Sequence, residues 1–184
     1  MKYITLLTVV VLMLSCGTTQ QKNKEQFIND GKLCETILGD FNGDGKAESA
    51  ELYRLSKNDV STDNIYFTND SIRSIDSSVI EYTAMYLTNE GDLNDDGADD
   101  IGCFIHTGES YWGTYAVFSY NGGKWKLLLS CGHNPGWNES PIQDLVRKHP
   151  TKSNCVIIRE ICLEQSEMTE REIQLTLKRF YSYD

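Results

Sequence analysis

The chain has little of what nucleic-acid binding or side-chain catalysis needs. It carries 17 Lys and Arg against 27 Asp and Glu, a formal charge of −10, and its basic residues form no cluster, which argues against a phosphate-binding surface. Its three histidines, His106, His133 and His149, stand in no spacing from which a nucleophile, a base and an orienting acid can be assembled. No C-x-x-C occurs, so thiol-redox and zinc-knuckle chemistry have no support. The longest apolar run lies within the first fifteen residues, MKYITLLTVVVLMLS, and is too short to span a bilayer comfortably as a permanent helix.

That run reads as a secretion signal, with a basic start at Lys2 and apolar residues to Leu14. Its end, Met13-Leu14-Ser15-Cys16-Gly17, resembles a bacterial lipobox. The resemblance implies cleavage before Cys16, lipidation of that cysteine and attachment to a membrane of the bacterial cell envelope. An outer-membrane lipoprotein facing the periplasm or the cell surface is the expected form. Several acyl chains, each adding about 0.8 kcal/mol per buried CH₂, make a stable anchor. Residues 16–26 continue as a polar stretch without apolar period, expected to be a flexible tether. Residues 27–184 are long enough for one domain with one core.

Five cysteines lie beyond Cys16, at 34, 103, 131, 155 and 162. An odd number leaves at least one free or paired between chains. Cys155 and Cys162 fall in one strand-like run and, at ~3.3 Å per residue, are too far apart to bridge.

Past residue 50 the chain reads as strands. Ile101 to Ile105 is a short apolar run suited to a buried strand, and Thr114 to Tyr120 and Lys124 to Ser130 flank Asn121-Gly122-Gly123, a hairpin signal. Val156 to Leu163 and Glu172 to Tyr181 should form a second hairpin around Gln165 to Thr169. Ser140-Pro141-Ile142-Gln143 has the features of a capping box and predicts one short helix ending at His149-Pro150. Residues 56 to 78 are polar and suggest a loop or a short strand. The expected class is mainly β, with antiparallel hairpins in a sandwich-like or propeller-fragment-like assembly.

Nine of the 27 acids lie in the stretches 40–51 and 92–100. Without gaps, and 52 residues apart, these align as G-D-F-N-G-D-G-K-A-E and G-D-L-N-D-D-G-A-D-D. A hard cation such as Ca²⁺ takes six to eight oxygens, and alternate residues of a tight loop supply them only where the chain turns sharply. Gly45 and Gly97 allow that turn. The expected ligands are the side chains of Asp40, Asn42, Asp44 and Glu48 with the Lys46 carbonyl, and those of Asp92, Asn94, Asp96 and Asp100 with the Ala98 carbonyl. Two calcium ions would offset the local charge and order the adjacent strands. The competing reading is a pair of ordinary Asx-glycine turns.

The first loop alone fits the helical calcium hand, but the second has Cys103 at position twelve and a β-like continuation. "GDLNDDGADDIGCFI" followed by "YAVFSYNGGKWKLLL" resembles instead an FG-GAP or VCBS calcium-loop repeat of the integrin-α-like kind. That resemblance implies a calcium loop between antiparallel strands of a propeller blade. The Phe-Gly and Gly-Ala-Pro signatures are missing, and two repeats cannot close a propeller, so an open fragment completed by the C-terminal hairpin is expected. His106, Tyr111, Trp112, His133 and Trp137 are candidates for an aromatic contact rim. The function expected is a calcium-stabilised, non-enzymatic envelope lipoprotein that binds a protein or glycan partner. The alternative is an acidic inhibitor or immunity-type lipoprotein that neutralises a toxin or hydrolase.

Overall fold

The structure, a computed structural model, describes residues 21–76, 83–106, 113–134, 145–162 and 167–175. Among these, ten strands form three antiparallel sheets. The first contains β1 (Lys32–Gly39), β2 (Glu48–Lys57) and β3 (Val60–Phe67). The second contains β4 (Thr83–Gly91), β5 (Asp100–His106), β6 (Gly113–Asn121) and β7 (Lys124–His133). The third contains β8 (Val146–Lys148), β9 (Cys155–Cys162) and β10 (Glu167–Gln174). In every sheet, strands adjacent in sequence are adjacent in space. The class is mainly β, and among the described residues no sheet closes into a barrel.

The central sheet is covered on both faces, and the period-2 geometry of a strand explains how. Ile101, Cys103 and Ile105 of β5, with Ala116 and Phe118 of β6, join Leu52, Ile65 and Phe67 of the first sheet in one core. The intervening Phe104, Tyr115 and Val117 point the other way and join Val156 and Ile158 of the third sheet, with Leu145 just before β8, in a second core. This is why the apolar run at 101–105 is nearly continuous rather than alternating. Cys103 and Cys131 lie in different cores. Cys34, Cys103, Cys131 and Cys155 are free thiols.

Two hairpins turn on two residues in the left-handed region. Gly122 and Gly123 have φ of 63° and 75°, beside the Asn121–Lys124 pair. Asn58 and Asp59 have φ of 53° and 64°, beside Lys57–Val60. Both are the conformation that matches strand twist. The second hairpin makes β3 a full strand through the polar stretch from residue 56. The sequence there hides it because only Asp63 and Ile65 to Phe67 are buried.

Three sequence expectations are corrected. The expected tether is helical from residue 21: α1 (21–30) docks on the first sheet where Phe27 meets Tyr66 edge-on at 5.8 Å and Lys24 Nζ donates to Asp70 at 2.7 Å. Its contact face is too small to produce a readable period. The helix expected from Ser140 to His149-Pro150 falls partly on 140–144, outside the described residues, and over the rest strand β8 stands in its place. His149 accordingly sits in a turn rather than at a helix end, its Nδ1 accepting from the Thr151 and Lys152 amides at 3.1 and 3.0 Å. The last strand begins at Glu167, five residues before the expected start. It is an exposed edge carrying cross-strand charge, with Arg171 on Glu160 at 2.8 Å, and charge on an edge resists further strand pairing. No helix among the described residues is long and apolar enough to cross a membrane.

Candidate metal centre

Both acidic loops join the first strand of a sheet to the second. Gly39 pairs with Glu48 where β1 meets β2, and Gly91 pairs with Asp100 where β4 meets β5. The 52-residue offset of the sequence is therefore an offset between equivalent positions of two sheets. Gly45 and Gly97 have φ of 83° and 89°, the sharp turn that the sequence requires there. Position four is also left-handed, with φ of 72° at Gly43 and 60° at Asp95. An aspartate tolerates that region better than most residues with a β-carbon.

The loops share one internal hydrogen-bond pattern. Asp40 Oδ1 accepts from the Asp44 amide at 3.0 Å and Asp40 Oδ2 from the Gly45 amide at 2.8 Å. Asp92 does the same for the Asp96 and Gly97 amides at 3.1 and 3.0 Å. Asn42 and Asn94 each accept from the position-five amide, at 2.9 and 3.2 Å. Asp44 and Asp96 each accept from the position-seven amide, at 2.9 and 3.1 Å. Glu48 accepts from Phe41 N–H at 3.2 Å, and Asp100 from Leu93 N–H at 3.0 Å. Turn chemistry alone places such bonds; their repetition shows that the loops are one device used twice.

The centres differ at position nine. In the first loop Asp40, Asp44 and Glu48 each bring one carboxylate oxygen within 4.8 Å of the others, the only such acidic grouping among the described residues. Glu48 is buried and its other oxygen, Oε1, accepts from Asn69 Nδ2 at 3.2 Å. In the second loop the shorter Asp100 is fully buried, and its Oδ1 has no hydrogen-bond partner. Burial, with the Asp96 and Asp92 charges adding to it, pushes the Asp100 carboxyl up to about 8 against the pull of the Leu93 amide and of the nearby Ser119 hydroxyl. An orphaned buried carboxylate oxygen costs free energy that a cation in the loop would recover. The donor set is oxygen throughout, which fits a hard divalent ion and calcium better than a soft transition metal.

Four supporting residues gave little sequence signal. Asn69 backs the first loop. Ser119 of β6 backs the second, accepting from Asn94 Nδ2 and donating to Asp96 Oδ2, both at 3.1 Å. Lys148 of the third sheet donates to the Asp92 carbonyl at 2.7 Å and pairs with Asp95 at 2.6 Å. Asp99 links the two loops; the extra acid at position eight, where the first loop has Ala47, was its visible mark.

The other candidate residues are dispersed. Cys16, Tyr111, Trp112 and Trp137 lie outside the described residues. His106 and His133 both pair with Gly113, one from each side, and so stand in one row across the sheet. His133 is buried, its ring edge-on to Phe104 at 5.1 Å, and burial lowers its pKa. As a contact-rim residue it is therefore corrected: its ring packs inside the fold. No family model, curated protein or solved structure matches this chain.

Proposed function

We propose that the chain is a calcium-stabilised, non-enzymatic scaffold of the bacterial cell envelope, anchored through lipidated Cys16, whose three-sheet body presents loops to a protein or glycan partner. The calcium-loop repeat resemblance supports this reading, and one observation carries it. Two loops at equivalent sheet positions share the same hydrogen bonds and the same ligand spacing, and the position-nine carboxylate of one is left with a buried, unpartnered oxygen. The first loop assembles three carboxylates, whose repulsion a divalent ion removes, and in the second the Asp92 and Asp96 charges bear on the buried Asp100. Ion binding is then part of folding. The binding role follows from rigidity: ordered loop ends on a stiff sheet stack lose little entropy on association.

The test is equilibrium dialysis of the full chain against calcium, with thermal melting in calcium and in chelator. Two ions per chain are expected. Each site should contribute about 2.7 kcal/mol at free calcium one hundred times its Kd, a melting shift of roughly 5–10 °C for a chain of this size. Undetectable binding, or identical melting curves in calcium and chelator, would sink the proposal. The anchor is tested separately: Cys16→Ala should move the protein from the membrane fraction to the soluble fraction.

A further inference from the structure

The two loops touch. Asp99 N–H donates to the Asp40 carbonyl at 2.8 Å, and Asp40 N–H donates to Asp99 Oδ2 at 2.9 Å. This reciprocal pair joins two residues 59 apart in sequence. Asp99 Oδ2 also accepts from Asn89 Nδ2 at 3.0 Å, and Asn89 Nδ2 in turn donates to the Leu38 carbonyl at 2.8 Å. The junction has no room to spare. A β-carbon on Gly39 would lie 2.8 Å from Asp99 Oδ2, and one on Gly43 would lie 3.1 Å from the Gly97 carbonyl oxygen.

We propose that the two loops bind calcium as a coupled pair, with Asp99 as the positioning residue through which the second loop sets the first. This deepens the calcium reading above and rests on it. Asp99 lies between Ala98 and Asp100, two ligand positions of the second loop, so ordering that loop around an ion places Asp99. Asp99 then holds both backbone polar groups of Asp40, the first ligand of the first loop. Asp40 in turn holds the Asp44 and Gly45 amides that shape its loop. The second loop has its own sign of an ion, the buried and unpartnered Asp100 Oδ1. Ala47 at the corresponding place of the first loop has no side-chain acceptor, so the bridging carboxylate comes from the second loop alone. Thermodynamic linkage nevertheless makes the coupling reciprocal.

Hydrogen exchange read by mass spectrometry gives each loop its own calcium midpoint, from the segments 39–47 and 91–100, with calcium alone as the probe. Disabling the second loop by Asp92→Asn should raise the 39–47 midpoint at least about fivefold, the lower end of ordinary coupling. In an Asp99→Ala background, which removes the side-chain bond to the Asp40 amide and keeps the backbone bond to the Asp40 carbonyl, the same change should move it by a clearly smaller factor than in the unaltered chain, and an equal factor overturns the role of Asp99. Asp99→Asn, which keeps a carbonyl acceptor for the Asp40 amide, should restore the shift. A measurement free of any change at Asp99 uses Glu48→Gln, which disables the first loop: calcium should still slow exchange at the Asp40 amide. An unchanged 39–47 midpoint in Asp92→Asn, or no protection of that amide in Glu48→Gln, overturns the coupling and leaves calcium binding standing. If neither segment of the unaltered chain responds to calcium, both readings fail.

Discussion

Arg54 grips Asp63 with two hydrogen bonds of 2.9 Å, from Nε and Nη2, and the same Nη2 donates to the Ala84 carbonyl at 2.7 Å. The pair lies directly across β2 and β3, and the third bond ties the first sheet to β4. Asp63 is buried while Arg54 keeps part of its surface in water. Arg54→Met strands a buried carboxylate and should cost about 3 kcal/mol, the range for breaking a buried pair from one side. Asp63→Asn leaves a neutral acceptor in place and should cost less. Urea unfolding of the two variants gives the order; equal costs would show that the carboxylate is solvated in practice.

Asp59 sits at φ 64° in the second position of a two-residue hairpin turn. Glycine is the preferred residue there, and it adopts that conformation without the steric cost of a β-carbon. Asp59→Gly should raise stability by about 0.5–1 kcal/mol, against the usual direction of a change to glycine. Gly123→Val, at φ 75° in the other hairpin, should lower it. Thermal melting distinguishes both from a neutral surface change.

Gly102 is overlaid by the Tyr115 side chain, and an added β-carbon would collide with the Tyr115 hydroxyl and lie 2.7 Å from Glu90 Oε1. The Tyr115 hydroxyl donates to Glu90, and burial raises the Glu90 carboxyl to about 7. Gly102→Ala should therefore cost about 1–3 kcal/mol by overpacking. Tyr115→Phe, which removes the hydroxyl, should recover part of that loss in the double variant. A double-mutant cycle with no interaction energy would place the strain elsewhere.

Burial lowers the His133 pKa below its value in the unfolded chain. A depressed folded pKa means that the contribution of the neutral ring is complete above the unfolded value of ~6.5. Below that pH the unfolded state binds the proton and the folded state does not, so stability falls as pH drops until the folded pKa is passed, by at most about 1.4 kcal/mol per pH unit for one proton. His133→Phe should flatten the stability profile on the acid side of about pH 6.5. An unchanged slope would assign the acid sensitivity to other groups.

Much of this fold is legible locally. The Asn-Gly-Gly turn announces the β6–β7 hairpin because those residues accept positive φ wherever they stand. The run at 101–105 announces a strand buried on both sides because nothing in it faces water. The acidic loops announce themselves because ligand spacing and the turn glycines are properties of ten consecutive residues. Strand β3 and the start of β10 were hidden, since both are polar along much of their length and exist by pairing with β2 and β9. Helix α1 was hidden because its stability comes from Phe27 and Lys24 meeting the first sheet.

The amino-acid sequence by itself determined the strand-rich class, the hairpin turns and the two matched oxygen-lined loops, since each depends on backbone preference and side-chain order over a short span. Only the tertiary structure decided that Asp99 bridges to Asp40, that Lys148 closes the far side of the second loop and that Asp100 Oδ1 is sealed from water. Those relationships join residues up to 59 positions apart. They arise from the stacking of three sheets, where burial and the close approach of separate loops, rather than local propensity, determine which polar atoms meet.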